Sequence, residues 1–368
     1  MAEPFPFEEA GVLQRHAANP LLTAGDVPYP SSLFFNAGVA KYEGRYVMIF
    51  RNDYGPRDGA HFLERLAAGG SRFDGTSLGL AFSEDGIAWD VRPVPTITLD
   101  QARDLIAPLI PGKDPRMELE RFYDPRLSVL DGRVFMCFAI DTAHGLCGGV
   151  AGTDDFERGE VLSASVPDNR NMVLFPEKIG GQYVRYERPV NTEGNNLFSD
   201  DQAMMWMSSS PDLRHWGNSR HILATGEIPF ANSKMGPGAP PIRTRKGWLT
   251  TFHAVWRDDT RGKNGWEEKW PKVYMAGLML MDLENPWRII GFCEIPLMVP
   301  TAWYETGLDV PDGISYDPFR EDVIFPGGML LEDDGEVKIY YGASDTVECL
   351  ATAHVDDLLA LCKPMYTG

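Results

Sequence analysis

A charged or amide side chain recurs at the edges of apolar, strand-like runs throughout this 368-residue chain. Asn36, Asp124, the Arg170–Asn171 pair and Lys234 stand near the start of such runs. Arg51–Asn52, Asp141, Arg188, His253 and Asp345 stand where the following run ends. A carboxyl group can give or take a proton, and arginine, lysine and histidine can hold an anion or a polar ligand atom. Each residue alone has an ordinary reading. Asp124 precedes Pro125 and would initiate a turn, and His253 in TTFHAVW fits a hydrogen-bonded core histidine. Arg170 and Arg188 fit surface charges, Lys234 beside Gly236 a solvated loop, and Asp345 before Thr346 a turn. Their recurrence at one structural position, in unrelated sequence contexts, is what points to a shared pocket.

The elements that carry them repeat. An apolar-alternating strand, a tight turn containing Gly and a second strand rich in aromatic and β-branched residues recur at 37–52, 125–141, 176–189, 240–256 and 327–345. The turn glycines are Gly44, Gly132, Gly181, Gly247 and Gly335, each expected at positive φ. Second strand pairs follow at 77–90, 148–162, 203–217, 273–290 and 349–359. Two hairpins per repeat make a four-stranded blade, so the expected fold is all-β: a five-bladed β-propeller with a central active-site pocket. The expected organisation is a single catalytic domain, 1–368, with the segment around 1–30 packing on or closing the ring. A six-bladed ring or a two-sheet sandwich also fits the irregular spacing. Segments 91–122, 257–270 and 300–322 read as loops framing an entrance. Residues 101–110 and 355–362 are the best short helix candidates.

Composition narrows the partners. Hydrophobic residues make up 43% and aromatics 11%, enough for a large core, and the formal net charge is −19. That charge argues against nucleic acid or an anionic membrane, which need a basic face. The five cysteines (Cys137, Cys147, Cys293, Cys349, Cys362) lack metal-ligand spacing and read as buried free thiols, so no metal site is expected. The first residues, MAEPFPFEEAG, carry acids and prolines where a signal peptide needs basic and apolar stretches. No apolar run approaches the roughly 20 residues that span a bilayer. A cytoplasmic location is expected.

In order along the chain, FFNAGVAKYEGRYVMIFR, Tyr123-Asp124-Pro125-Arg126, Arg170-Asn171 before LFPEKIGGQYVRYERP, KMGPGAPPIRTRKGWLTTFHAV and YYGASDT resemble glycoside hydrolase family 130. The resemblance implies a five-bladed propeller and an inverting β-mannoside phosphorylase. It implies Asp124 as the sole catalytic carboxylate, its proton passing to the departing oxygen through a mannose hydroxyl. It also implies Arg170, Asn171, Arg188, Lys234 and His253 around phosphate, and Asn36 and Asp345 on the sugar; Arg51 at its strand end and the Tyr274 ring are further substrate-binding candidates. Where the family often has Arg just before SLGLA, this chain reads TSLGLA, and Arg72 is the nearest substitute. The expected partners are a β-mannoside disaccharide or oligosaccharide and inorganic phosphate as co-substrate, with no other cofactor; homo-oligomers are common among such enzymes.

The residues fit that chemistry. Inverting hydrolysis needs two carboxyl groups, one of which activates water. Phosphate is already an anionic nucleophile and needs cations rather than a base. Two Arg, one Lys and one His opposite one Asp fit phosphorolysis better. A β-mannosidase on this fold would have lost the basic cluster. An arabinan or fructan hydrolase would use Asp124, Asp141 and Asp345 as three pocket acids, and a non-catalytic sugar-binding propeller gives no reason for the cations. Trp248, Trp256, Trp266, Trp270, Tyr274 and Trp303 are candidates for stacking on sugar rings, with core packing the ordinary reading of each. Linkage, β-1,4 or β-1,2, and acceptor sugar are left open.

Overall fold

The computed structural model describes residues 6–56, 64–65, 67, 73–109, 114, 119–189, 204–262, 264–266 and 270–364. Arg72 lies outside the described residues. Hydrophobic alternation and tight turns produce antiparallel sheets, and these form five blades in a ring.

Strand β1 (Gln14–Arg15) precedes the first blade. Blade I then takes β2 (Leu33–Tyr42), β3 (Arg45–Tyr54), β4 (Gly75–Ser83) and β5 (Asp90–Val91). Blade II takes β6 (Leu119–Leu130), β7 (Arg133–Thr142), β8 (Gly145–Thr153) and β9 (Gly159–Ala164). Blade III takes β10 (Asn169–Leu174), β11 (Tyr183–Pro189), β12 (Met205–Ser210) and β13 (Gly217–Leu223). In blade IV the inner strand is broken into β14 (Met235–Pro237) and β15 (Ile242–Arg243), both pairing β16 (Trp248–Arg257), followed by β17 (Lys272–Met281) and β18 (Ile289–Phe292). Blade V takes β19 (Ile324–Leu331), β20 (Glu336–Ala343) and β21 (Val347–His354), with β1 as its fourth strand.

The sequence reading took 349–359 as a strand pair and 355–362 as a short helix; the structure takes the helix, Val355–Leu361, so the outer edge of blade V is left to β1, where Gln14 pairs Thr352 and Arg15 pairs Ala351. The other main helix, Leu99–Ile106, carries a Thr98–Gln101 capping box.

Four of the five turn glycines have positive φ, between 77° and 90°, and Glu43–Gly44, Asp131–Gly132 and Gly180–Gly181 put two successive residues there. This turn matches the right-handed twist of the flanking strands. Gly247 does not adopt positive φ. It is required by proximity, because a Cβ there would meet the Met281 carbonyl oxygen at 2.4 Å.

Each interface between neighbouring blades holds its own apolar cluster. Leu127 and Phe138 meet Ile49 and Leu78 between blades I and II, and Met172 and Leu174 meet Phe135 and Val150 between II and III. Phe175 meets Phe252 and Trp248 between III and IV, Leu278 meets Ile339 between IV and V, and Tyr340 meets Phe34 between V and I. The apolar residues sit between blades, which leaves polar residues on the inner strands free to face the channel. Among the described residues no helix is long and apolar enough to cross a membrane.

Candidate active site

The innermost strands of three blades break register at equivalent places. The irregularity lies between Phe35 and Gly38 in β2, Tyr123 and Arg126 in β6, and Arg170 and Val173 in β10. At each bulge one polar residue takes the left-handed conformation: Asn36 (φ 53°), Asp124 (φ 51°) and Asn171 (φ 55°). Asn and Asp tolerate this region better than other residues with a side chain, and bulges re-aim side chains next to active sites. All three line one central cavity of about 420 Å³.

Around Asp124 the contacts are specific. Its Oδ1 accepts from Asn36 Nδ2 at 3.1 Å and from Arg51 Nη1 at 3.2 Å. Arg51 is anchored from behind by Asp53, with Nη2 to Oδ2 at 2.6 Å, and Thr76 donates to the same carboxylate at 2.7 Å. Burial alone would push the Asp124 carboxyl up. Arg51, Arg126, the Asn36 hydrogen bond and Arg170 outweigh it and hold the group below the usual carboxylate range.

The opposite wall is cationic. Seven basic side chains and two carboxylates line the cavity. Three of the seven are matched: Arg51 by Asp53, Arg121 by Asp141 at 2.6 Å, and Arg320 by Asp345 at 2.9 Å. Arg170, Arg188 and Lys234 have no carboxylate partner among the described residues, and Arg170 and Arg188 sit directly opposite each other in the β10–β11 ladder. Like charges directly opposite are destabilising. Burial and Arg170 together push Arg188 down to about 9. Burial, Arg188 and Arg170 hold the Lys234 amine well below its ordinary value. The buried Nε atoms of Arg170 and Arg188 and the Oδ1 of Asn171 have no hydrogen-bond partner among the described residues. Three crowded basic groups, two of them with unfilled buried donors, form a site for an anion.

The cavity wall brings together nearly all the residues that the sequence singles out: Asn36, Arg51, Asp124, Arg170, Asn171, Arg188, Lys234, Tyr274 and Asp345. His253, Asp141 and Asn52 do not line it. His253 stands behind the cationic wall. It is fully buried behind Arg188, accepting from Arg188 Nη1 at Nε2 (2.9 Å) and donating from Nδ1 to the Pro237 carbonyl (3.2 Å). Burial, then Arg188 and Lys234, hold its ring neutral, so it supplies no charge to the cavity. Gly236 makes this packing possible, since a Cβ there would meet Arg188 Cδ and His253 Cε1 at 2.7 Å.

Asp141 does not line the cavity either. Its carboxylate accepts from Tyr123 Oη at 2.7 Å and Arg121 Nε at 2.6 Å. The three-acid hydrolase arrangement therefore loses one acid. Of the six aromatic candidates, Trp270 and Tyr274 reach the wall, their rings parallel within 6°. Trp248 is core, Trp266 packs in an apolar cluster with Phe319, Trp256 packs on Phe7, and Trp303 packs on Tyr304 and Tyr316. Sequence reasoning missed Arg121, Tyr123, Lys272 and Arg320, and the Phe35, Phe73 and Phe319 rings beside them. Tyr123 and Phe35 were legible as the residues just before Asp124 and Asn36; the others come from strand ends and loops with no repeating position.

The family model for β-1,4-mannooligosaccharide phosphorylases matches residues 22–364. This chain belongs to glycoside hydrolase family 130. It is 31% identical over 363 residues to a β-1,4-mannooligosaccharide phosphorylase of Ruminococcus albus, covering 97% of this chain and 93% of that one. It is 25% identical over 343 residues to a 4-O-β-D-mannosyl-D-glucose phosphorylase of Bacteroides fragilis, covering 89% and 74%. Its fold is similar to the β-1,2-mannobiose phosphorylase of Listeria innocua solved with β-1,2-mannobiose, with a TM-score of 0.70 at 23% identity over 95% of this chain and 98% of that one.

Proposed function

We propose that this family 130 protein is a glycoside phosphorylase that cleaves β-mannosides with inorganic phosphate, inverting the anomeric centre to give α-mannose 1-phosphate and a shortened sugar. The single observation that carries the reading is the unmatched trio Arg170, Arg188 and Lys234 facing Asp124 across one cavity. Phosphate bound there lies on the side of the sugar opposite the departing oxygen. A phosphate oxygen forms the bond to the anomeric carbon as the glycosidic C–O bond breaks, and the proton of Asp124 ends on the leaving oxygen. Asp124 is anionic while the cations are unmatched. Phosphate cancels much of the field that holds its acidity low, so the carboxyl gains its proton as the nucleophile arrives.

Asn36 and Arg51 position Asp124, and Asp345, tied to Arg320, faces the sugar hydroxyls. No cofactor is required, because phosphate brings its own charge and nucleophilicity. We assign the substrates to β-1,4-linked mannooligosaccharides, following the family model and the Ruminococcus albus relative, and the enzyme to the cytoplasm, where inorganic phosphate is abundant.

The test is cleavage of β-1,4-mannobiose, β-1,2-mannobiose and β-1,4-mannosylglucose with and without phosphate, with the product anomer read by NMR. Phosphate-dependent release of α-mannose 1-phosphate, fastest from the β-1,4-mannooligosaccharide, is expected. Free mannose appearing equally fast without phosphate would overturn the phosphorylase reading, and preference for another linkage would overturn only the substrate assignment.

A further inference from the structure

Beneath the cavity, and not lining it, lie two buried ionisable side chains, Arg126 (3% exposed) and Glu348 (0%). Arg126 follows the Asp124–Pro125 bulge. Its Nη1 donates to the Pro125 carbonyl at 2.7 Å and to the Asn36 carbonyl at 3.2 Å, while its Nε donates to the Gly238 carbonyl at 3.0 Å. One guanidinium thus joins the inner strands of blades I and II to the break in the inner strand of blade IV. Glu348, from β21 of blade V, accepts from the Ala37 N–H at Oε2, 3.2 Å away.

The Asn36 carbonyl and the Ala37 N–H are the two ends of one peptide group. That peptide follows a residue held in the left-handed conformation, which persists only where its surroundings over-determine it. Here a donor from blade II grips one end and an acceptor from blade V grips the other. The same guanidinium fixes the carbonyl next to Asp124.

We propose that Arg126 and Glu348 are positioning residues: together they clamp the Asn36–Ala37 peptide and the Asp124 bulge so that the Asn36 amide and the Asp124 carboxyl meet at hydrogen-bonding distance. The clamp rests on the reading of Asp124 as the proton donor. A purely structural role for these two buried polar side chains is a weak alternative, because apolar side chains often serve the fold as well. The contacts made here go instead to the backbone of the residues that carry the site. Glu348 Oε1 has no partner among the described residues, and burial, opposed by the Ala37 N–H and Arg126, brings its carboxyl up to about 8. At neutral pH it is mostly the uncharged acid, for which glutamine is a near-isostere.

The charged groups facing Asp124 are Arg51 from β3, Arg126 from β6, Arg170 from β10, Arg188 from β11 and Asp345 from the β20–β21 turn, with the Tyr123 phenol beside it. Arg126→Met deletes one cation and three hydrogen bonds. Arg126→Lys keeps the charge but cannot span three carbonyls.

The experiment measures kcat, the KM for phosphate and for mannoside, the pH profile of kcat and Tm for both Arg126 variants, Glu348→Gln and Glu348→Leu. Arg126→Met is expected to lower kcat by about 10²-fold, as misplacement of a reacting group by an ångström does. Its phosphate KM stays within about threefold, and the alkaline limb of kcat moves to higher pH because Asp124 has lost a neighbouring cation. Arg126→Lys lowers kcat by about 10-fold with the limb unmoved, and carries the test where the Met variant does not fold. Glu348→Gln stays near wild type, while Glu348→Leu loses about 10-fold in kcat. Arg126 variants that change Tm alone, with kcat and its pH profile intact, would overturn the clamp. Near-normal turnover by Asp124→Asn would instead remove the reading beneath it, so the two failures are separable.

Discussion

Arg188 donates to Nε2 of His253 at 2.9 Å while Nδ1 of the same ring donates to the Pro237 carbonyl at 3.2 Å. One ring nitrogen gives a proton and the other receives one, which fixes a single neutral tautomer. His253 therefore aims Arg188 rather than adding charge. His253→Ala is expected to weaken apparent phosphate affinity about 10-fold, equivalent to about 1.4 kcal/mol. The ring's ¹⁵N shifts are expected to stay those of neutral imidazole down to pH 6, and an imidazolium signature at pH 7 would restore it as a phosphate-facing cation.

Asp124→Asn keeps the shape and loses the proton. A fall in kcat on the order of 10² to 10⁴ is expected, with the circular dichroism spectrum unchanged. Asp345 is the control: burial raises its carboxyl while Arg320 and Arg51 oppose it. A larger kcat loss in Asp345→Asn than in Asp124→Asn would transfer the acid role.

Removing Lys234 or Arg188 by substitution with Ala deletes charge-assisted hydrogen bonds worth roughly 1.5 to 3 kcal/mol each. Apparent phosphate affinity should fall by about 10- to 100-fold, with the KM for mannoside changing far less. Steady-state kinetics with each substrate varied in turn separate the two effects, and equal losses in both would argue against a dedicated anion pocket.

Phosphate binding should weaken as pH rises toward and past 9. Arg188 sits at about 9 and Lys234 well below its ordinary value in the empty site. A bound anion raises both, so binding takes up protons, and affinity declines as the free-site groups lose theirs. The stability sign follows: folded-state values below the unfolded ones mean that charging these groups disfavours the fold at neutral pH. Phosphate at about 100 times its Kd should add about 2.7 kcal/mol and raise Tm. Calorimetry in buffers of differing ionisation enthalpy reads the proton uptake directly, and proton release on binding would contradict this account.

Much of this was legible because hairpin turns and channel-facing polar residues recur at matching positions. Asn36, Asp124 and Asn171 stand out as Asn or Asp at the start of an apolar run, and the structure puts each at a left-handed bulge. Arg170 and Arg188 were legible as charges at strand edges, though not as a cross-strand pair, since pairing register is set by the bulge between Arg170 and Val173. His253 was assigned to the pocket because strand position shows where a side chain begins. It does not show that Arg188 reaches across Gly236 to occupy the space in front of it. Arg320 was hidden in a loop, where its guanidinium lies 3.9 Å from the indole ring of Trp270, a contact between residues far apart in sequence.

Blade V is completed only when β1, near residue 14, zips onto β21, near residue 350. A chain emerging from the ribosome can assemble blades I to IV in turn, yet its pocket lacks Asp345 and its floor lacks Glu348 until the strands of blade V have emerged. Ring closure thus ties completion of the active site to the emergence of blade V, and shorter nascent chains would carry the cationic wall without a working site.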